Sequence, residues 1–211
     1  MDGVKIRRDL DEEFTNFGHH FRFKIIPQNE FWIDREAAPG ERKYFIDSML
    51  IMHKMQLAGK SHDKAVKAAD KTERAEREKS KLFKRISSVR KHKKEVIEKI
   101  HKKLLGTGAG AIKIWVVRGE LVRDLFFLDF TAGGHDLVCD FVSQNEVWID
   151  DDVVREDLLY VVLHELYERL QMAEGLSYDD AHEKASKIEW EARHDAKKLE
   201  ESLSSLGFNM V

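Results

Sequence analysis

The stretch Tyr160-Val161-Val162-Leu163-His164-Glu165-Leu166-Tyr167-Glu168 concentrates side chains able to do chemistry on a helical pattern. His164 and Glu168 are four residues apart, so on a helix they lie one turn apart on one face. Two side chains at that spacing can hold one metal ion. Glu165 falls between them, beside the same face. The flanks are apolar almost all round, which is how a central buried helix reads. Ionisable groups on such a helix need partners, and a divalent cation is one. A third ligand is expected from the following helix, where Tyr178, Ala181, His182, Ala185, Glu189 and Ala192 recur at helical spacing along one face. The alanines allow a close approach, which turns His182 and Glu189 towards His164 and Glu168. His164, Glu168 and His182 make a two-imidazole, one-carboxylate set suited to zinc or another first-row divalent metal, with a position left for water. Water on such an ion loses a proton more readily, and Glu165 is placed to take it.

The stretch resembles the active-site helix of zincin metallopeptidases, whose motif is HExxH after an apolar run. Here it reads HELYE. His164 and Glu165 match the first two motif positions, and Glu168 stands where the second histidine belongs. The resemblance covers about nine residues. It implies His164 as a metal ligand and Glu165 as general base.

The elements that would position this cluster are written twice. QNEFWID at 28–34 recurs as QNEVWID at 144–150, an offset of 116 that holds without a gap. Gly18-His19 matches Gly134-His135, and Tyr44 matches Tyr160. Gly59, Ser61, Asp63 and Ala65 match Gly175, Ser177, Asp179 and Ala181. Glu73 and Arg77 match Glu189 and Arg193. From 4 to 77 there are 21 identities in 74 positions, where unrelated sequences of average composition would give roughly 6%. The expected fold is α+β: a tandem duplication of a unit with a small antiparallel sheet followed by a helical hairpin. The first unit spans 1–78, a basic helical connector and Gly-rich linker span 79–110, and the second unit spans 111–211.

In the second unit, strands are expected over Ala111–Val117, Leu121–Phe130, Leu137–Val142 and Glu146–Ile149, with a turn at Gly133-Gly134. The first unit lacks a counterpart to the first of these. A helix should run from about Arg155 to Ala173 and stop at Gly175. Ser177 should cap the next, with Asp180 completing a capping box. The first unit reuses Gly59 and Ser61 but has Lys64 in place of the acid.

The first unit also serves as an internal control. Opposite His164, Glu165, Glu168 and His182 it has Ser48, Met49, Met52 and Val66. Largely apolar replacement is what a buried site that had lost its ion would become. Glu73 and His19 persist opposite Glu189 and His135, which reads these two as structural, a helix contact and a turn residue. His182 therefore ranks above Glu189 as a ligand.

A helix is expected from about Asp63 to Leu105, ending in Gly106-Thr107-Gly108-Ala109-Gly110. From Lys79 to Lys103 it holds eleven Lys/Arg against two Glu, with an apolar stripe of Leu82, Ile86, Val89, Val96, Ile100 and Leu104. It reads as an amphipathic connector with a solvated basic face. The alternative is a surface tracking nucleic-acid phosphates, although no aromatic residues interleave on it.

The single cysteine, Cys139, excludes an internal disulfide framework. No apolar run approaches a membrane span and no signal-peptide pattern is present, so the expectation is a cytoplasmic protein. A net charge of −3 gives no global pull towards nucleic acid. The leading expectation is a metal-dependent hydrolase acting through the second unit. The first unit would be a non-catalytic pseudo-copy, and the chain a monomer with an intramolecular pseudo-two-fold. The alternative is a non-catalytic protein that binds a protein partner or nucleic acid through its helices and basic connector.

Overall fold

The computed structural model describes residues 1–35, 40–87 and 93–211. In chain order it has α1 (Gly3–Asp9), β1 (Phe17–His19), β2 (Phe31–Ile33), α2 (Arg42–Leu57), α3 (His62–Arg77), α4 (Lys81–Ser87), α5 (Lys93–Ile100), β3 (His101–Gly108), β4 (Ile112–Val117) and α6 (Gly119–Leu125). There follow β5 (Gly133–His135), β6 (Glu146–Asp150), α7 (Arg155–Ala173), α8 (Tyr178–His194), α9 (Ala196–Ser205) and β7 (Asn209–Met210). This is a mixed helix and strand architecture with a small antiparallel sheet and a larger mixed one.

Two compact units interleave along the chain rather than following one another. The first comprises Met1–Gly3, Phe14–Glu98 and Glu120–Asp129; the second comprises Val4–Glu13, Lys99–Gly119 and Phe130–Val211. Most of α1 thus belongs to the second unit, and most of α6 to the first.

In the first unit β1 and β2 pair antiparallel, with Phe17 opposite Ile33, Gly18 opposite Trp32 and His19 opposite Phe31. In the second unit β5 and β6 pair antiparallel with Gly133 opposite Ile149, Gly134 opposite Trp148 and His135 opposite Val147. Each of these residues lies 116 positions after its counterpart. The second sheet extends further, in the order β5-β6-β4-β3-β7, with β4 and β6 parallel. Its core packs Ile112, Ile114, Val147 and Ile149 against Val162, Leu163 and Leu166 of α7. Helices α2 and α7 both stop at a glycine with positive φ, Gly59 at +74° and Gly175 at +103°, the left-handed conformation that helix C-termini favour and L side chains resist.

Five local expectations are corrected. The single helix read from Asp63 to Leu105 is broken after Arg77, with α4 and α5 as separate helices, the last ending at Ile100, and His101–Gly108 is strand β3. Gly106 and Gly108 are close-packing positions rather than a flexible linker. A Cβ on Gly106 would lie 2.4 Å from the Asn209 carbonyl oxygen, and one on Gly108 would lie 2.7 Å from a Leu166 methyl. The stretch Leu121–Phe130, read as strand, begins in helix α6, whose Leu121, Val122 and Leu125 are buried. Gly133-Gly134, read as a turn, is strand β5, and Leu137–Val142, read as strand, forms the turns between β5 and β6. In each case tertiary pairing overrides local composition. Val89 of the connector stripe lies outside the described residues. Among the described residues, no helix is long and apolar enough to cross a membrane.

Candidate metal centre

Helices α7 and α8 form the hairpin that builds the site. Ser177 accepts a hydrogen bond from the Asp180 amide and donates to its carboxylate at 2.6 Å. The expected cap is therefore present, though the acid answers the serine hydroxyl. Ala181, Ala185 and Ala192 are fully buried, so α8 lies close against its neighbours as the small residues require.

The structure brings His164, Glu168 and His182 together. His164 Nε2 and His182 Nδ1 are 3.2 Å apart. His182 Nδ1 lies 2.7 Å, and His164 Nε2 3.6 Å, from the same Glu168 oxygen, Oε2. Four tetrahedral ligands at about 2.0–2.1 Å from an ion stand about 3.3 Å from each other, and these three edges bracket that value. The Glu168 side chain is 5% exposed and His164 12%, whereas His182 is 33% exposed. Solvent therefore reaches the cluster from the His182 side.

The outer partners set which nitrogen of each ring would keep its proton with an ion bound. His135 Nδ1 accepts the Leu137 amide hydrogen at 3.2 Å. Its proton is therefore on Nε2, which donates to Glu168 Oε1 at 2.9 Å. His164 Nδ1 faces Glu189 Oε2 at 2.8 Å, so when an ion replaces the inward proton the ring keeps its other proton on Nδ1 and presents the Nε2 lone pair. His182 Nε2 faces Glu13 Oε1 at 3.4 Å, which leaves Nδ1 turned inward as well. Metal-bound histidines characteristically give their other N–H to a carboxylate in this manner. Glu189 is itself held by Arg193, whose Nε donates at 2.9 Å, and Arg193 also pairs with Asp157. Beside the cluster, Arg169 Nε donates to Asp136 Oδ1 at 2.6 Å and pins the turn after His135.

His135 and Glu189, read from the sequence as a turn residue and a helix contact, thus join the site's hydrogen-bond network. The first unit has the same residue types at the corresponding positions, Glu73 and His19, without the ligands. Glu13 gave no sequence signal at all, since it is brought to α8 from 169 positions away. The space for Glu165 did have a signal. A Cβ on Gly133 would lie 2.8 Å from Glu165 Cγ, and the corresponding residue of the first unit is Phe17, opposite Met49.

The charges are strongly coupled. Burial alone would raise Glu168, but hydrogen bonds from His135, His164 and His182 hold its carboxyl well below the usual range. Burial would lower His164, but Glu168 and Glu189 raise it well above the usual imidazole range. His182 is lifted to about 9, first by Glu13 and then by Glu168. Glu13 is lowered to about 2, chiefly by His182. Glu165 goes the other way. Burial pushes it up to about 7, with the Glu168 charge adding to the rise. One carboxylate is thus held ionised and its helical neighbour is poised to exchange a proton near neutrality, a separation typical of sites that divide binding from base work.

Two overlapping groups of ligand-type atoms lie within 4.8 Å of one another: His164, Glu168 and His182, and His135, Glu165 and Glu168. The tautomer of His135 favours the first, because its Nε2 carries the proton that Glu168 accepts. Comparison with protein-family models, curated proteins and solved structures finds no match to the chain.

Proposed function

We propose that the second unit is a mononuclear metal site of a metal-dependent hydrolase, with His164 Nε2, His182 Nδ1 and Glu168 Oε2 as ligands and zinc the best-suited ion. The triangle of 2.7, 3.2 and 3.6 Å between these three atoms carries the reading. Without an ion the two inward nitrogens share their protons with Glu168 Oε2, and a cation at the centre would take the place of those protons. When bound, the ion would supply positive charge to polarise a carbonyl and acidify a water. Glu168 and the two imidazoles orient that ion, and Glu189 and His135 keep their lone pairs aimed. Glu165, with its pKa near 7, accepts the proton of the attacking water and returns it to the leaving group. These roles parallel the zincin helix at His164 and Glu165, with a carboxylate replacing the second histidine.

The first unit is, in this reading, a duplicated copy without the chemistry. The common offset of the two strand registers supports it, as does a shared ion network. Arg77 lies over Tyr44 and pairs with Glu73 and Glu41, while Arg193 lies over Tyr160 and pairs with Glu189 and Asp157.

Elemental analysis of the purified protein tests the proposal. One equivalent of metal is expected in the wild type and none after His164→Ala. Glu165→Gln should retain the equivalent while hydrolysis of a mixed peptide and ester panel falls by at least 10²-fold, the usual effect of losing a general base. Metal-free wild-type protein that takes up no zinc on titration would sink the reading.

A further inference from the structure

Residues 4–13 lie far from the HELYE helix in sequence, yet they belong to the same compact unit. Helix α1 is fastened there by Arg7, whose Nε donates to Asp157 Oδ2 at 2.8 Å. Asp157 Oδ1 accepts from Arg193, Arg193 holds Glu189, and Glu189 holds His164. Just beyond α1, Glu13 Oε1 accepts the Ser186 hydroxyl at 2.6 Å and stands 3.4 Å from His182 Nε2. The α1 segment therefore touches both proposed metal histidines on the nitrogen facing away from the ion, one directly and the other through three side chains.

We infer that Glu13 is a positioning residue of the metal centre, holding the proton of His182 on Nε2 so that Nδ1 is free to bind the ion; this rests on the metal-site reading above. Neutral imidazole has two tautomers, and only one presents a lone pair at Nδ1. Without Glu13, water would serve either nitrogen of this partly exposed ring, and Nδ1–H would be favoured by Glu168 Oε2 at 2.7 Å. That tautomer blocks the ligand position. Ser186 keeps the Glu13 carboxylate in place by occupying the same oxygen. An open groove bordered by Leu10, Glu13, Ser186 and Trp190 adjoins the exposed edge of His182, so Glu13 also stands where a substrate would enter.

The test compares zinc affinity and the visible spectrum of the cobalt-substituted full-length protein for wild type, Glu13→Gln, Glu13→Asp and Ser186→Ala. Removing an outer carboxylate partner of a metal histidine typically costs 10–100-fold in affinity. Glu13→Gln should weaken zinc binding by that factor and shift the cobalt bands. Glu13→Asp should recover part of the loss, and Ser186→Ala should show a smaller one. The far-UV circular dichroism spectrum and gel-filtration profile of the metal-free Glu13→Gln protein should match the wild type, which separates positioning from folding. Zinc affinity and cobalt bands unchanged in Glu13→Gln would overturn the assignment of Glu13 while leaving the metal site standing. A wild type that binds neither ion would overturn both.

Discussion

The hairpin α2–α3 and the hairpin α7–α8 have the same frame and different contents. Each has an arginine in the last turn of its second helix, paired four residues back with a glutamate and stacked on a tyrosine of the first helix. Each takes a second arginine from a short helix distant in sequence: Arg123 of α6 on Glu41, and Arg7 of α1 on Asp157. The glutamate that accepts Ser48 at 2.6 Å in one hairpin accepts His164 at 2.8 Å in the other. The contrast is sharpest at the strand histidine. His135 Nε2 donates to Glu168, whereas His19 Nε2 is buried without a hydrogen-bond partner, because Met52 stands where Glu168 would be. Where Glu13 meets Ser186 in one unit, the other has Asp129 and Asp70, with Asp70 driven up to about 6 by burial and by the Asp129 charge. The ion network is thus common to both contents, and the proposed chemistry would reside in four or five side chains set into it.

If the frame is sufficient, the first hairpin should accept the contents of the second. The combined substitution Ser48→His, Met52→Glu and Val66→His uses Glu73 and His19 already in place. It should raise zinc uptake from one equivalent to two, the added one bound more weakly because Asp70 and Asp129 do not reproduce Ser186 and Glu13. A folded triple variant that still binds one equivalent would show that the frames differ in more than these residues.

A second contrast lies in pH. In the metal-free protein, His164 and His182 are raised, the latter to about 9. A group raised on folding stabilises fully below its unfolded value and loses that effect as pH rises through the folded value. The second unit should therefore become easier to open between about pH 6.5 and 9, and zinc should remove the effect. His19 is lowered to about 4, first by burial and then by His53. Its contribution is present above 6.5 and lost as pH falls towards 4, so the first unit should loosen on the acid side. Hydrogen exchange read separately on peptides from α2 and α7 checks both windows. Equal pH responses in the two hairpins would break the comparison.

The smallest expected difference is at the helix caps. Ser177 makes a side-chain cap to Asp180, whereas Ser61 makes none. Ser177→Ala should cost about 1 kcal/mol, and Ser61→Ala little. Urea unfolding midpoints of the two variants measure this directly.

The legible part of the molecule was the part governed by local periodicity. The bounds of α7, the cap at Ser177 and the convergence of His164, Glu168 and His182 follow from i, i+4 spacing and an alanine face. The strands were harder. Gly106 and Gly108 looked like a linker because glycine signals both freedom and close approach, and only the neighbours, Asn209 and Leu166, distinguish the two. Helix α6 looked like a strand because a short apolar run has no period long enough to read. Glu13 was invisible for a different reason. Its partner is set by the packing of α1, and nothing in a solvated run of acids marks which one will meet a histidine.

The interleaving of the units bears on how the chain comes off the ribosome. Glu41 and Arg77 are synthesised long before Arg123, so the first hairpin must wait with a buried carboxylate half-paired until residues 120–129 emerge. Helix α1 has the opposite history. It is synthesised long before its partners, because Asp157 and His182 do not yet exist when Arg7 and Glu13 leave the exit tunnel. Neither unit can close in order of synthesis, and a nascent chain arrested near residue 100 would expose the first hairpin without its second arginine. Folding of the two units is thereby tied to completion of most of the chain rather than proceeding unit by unit as domains usually do.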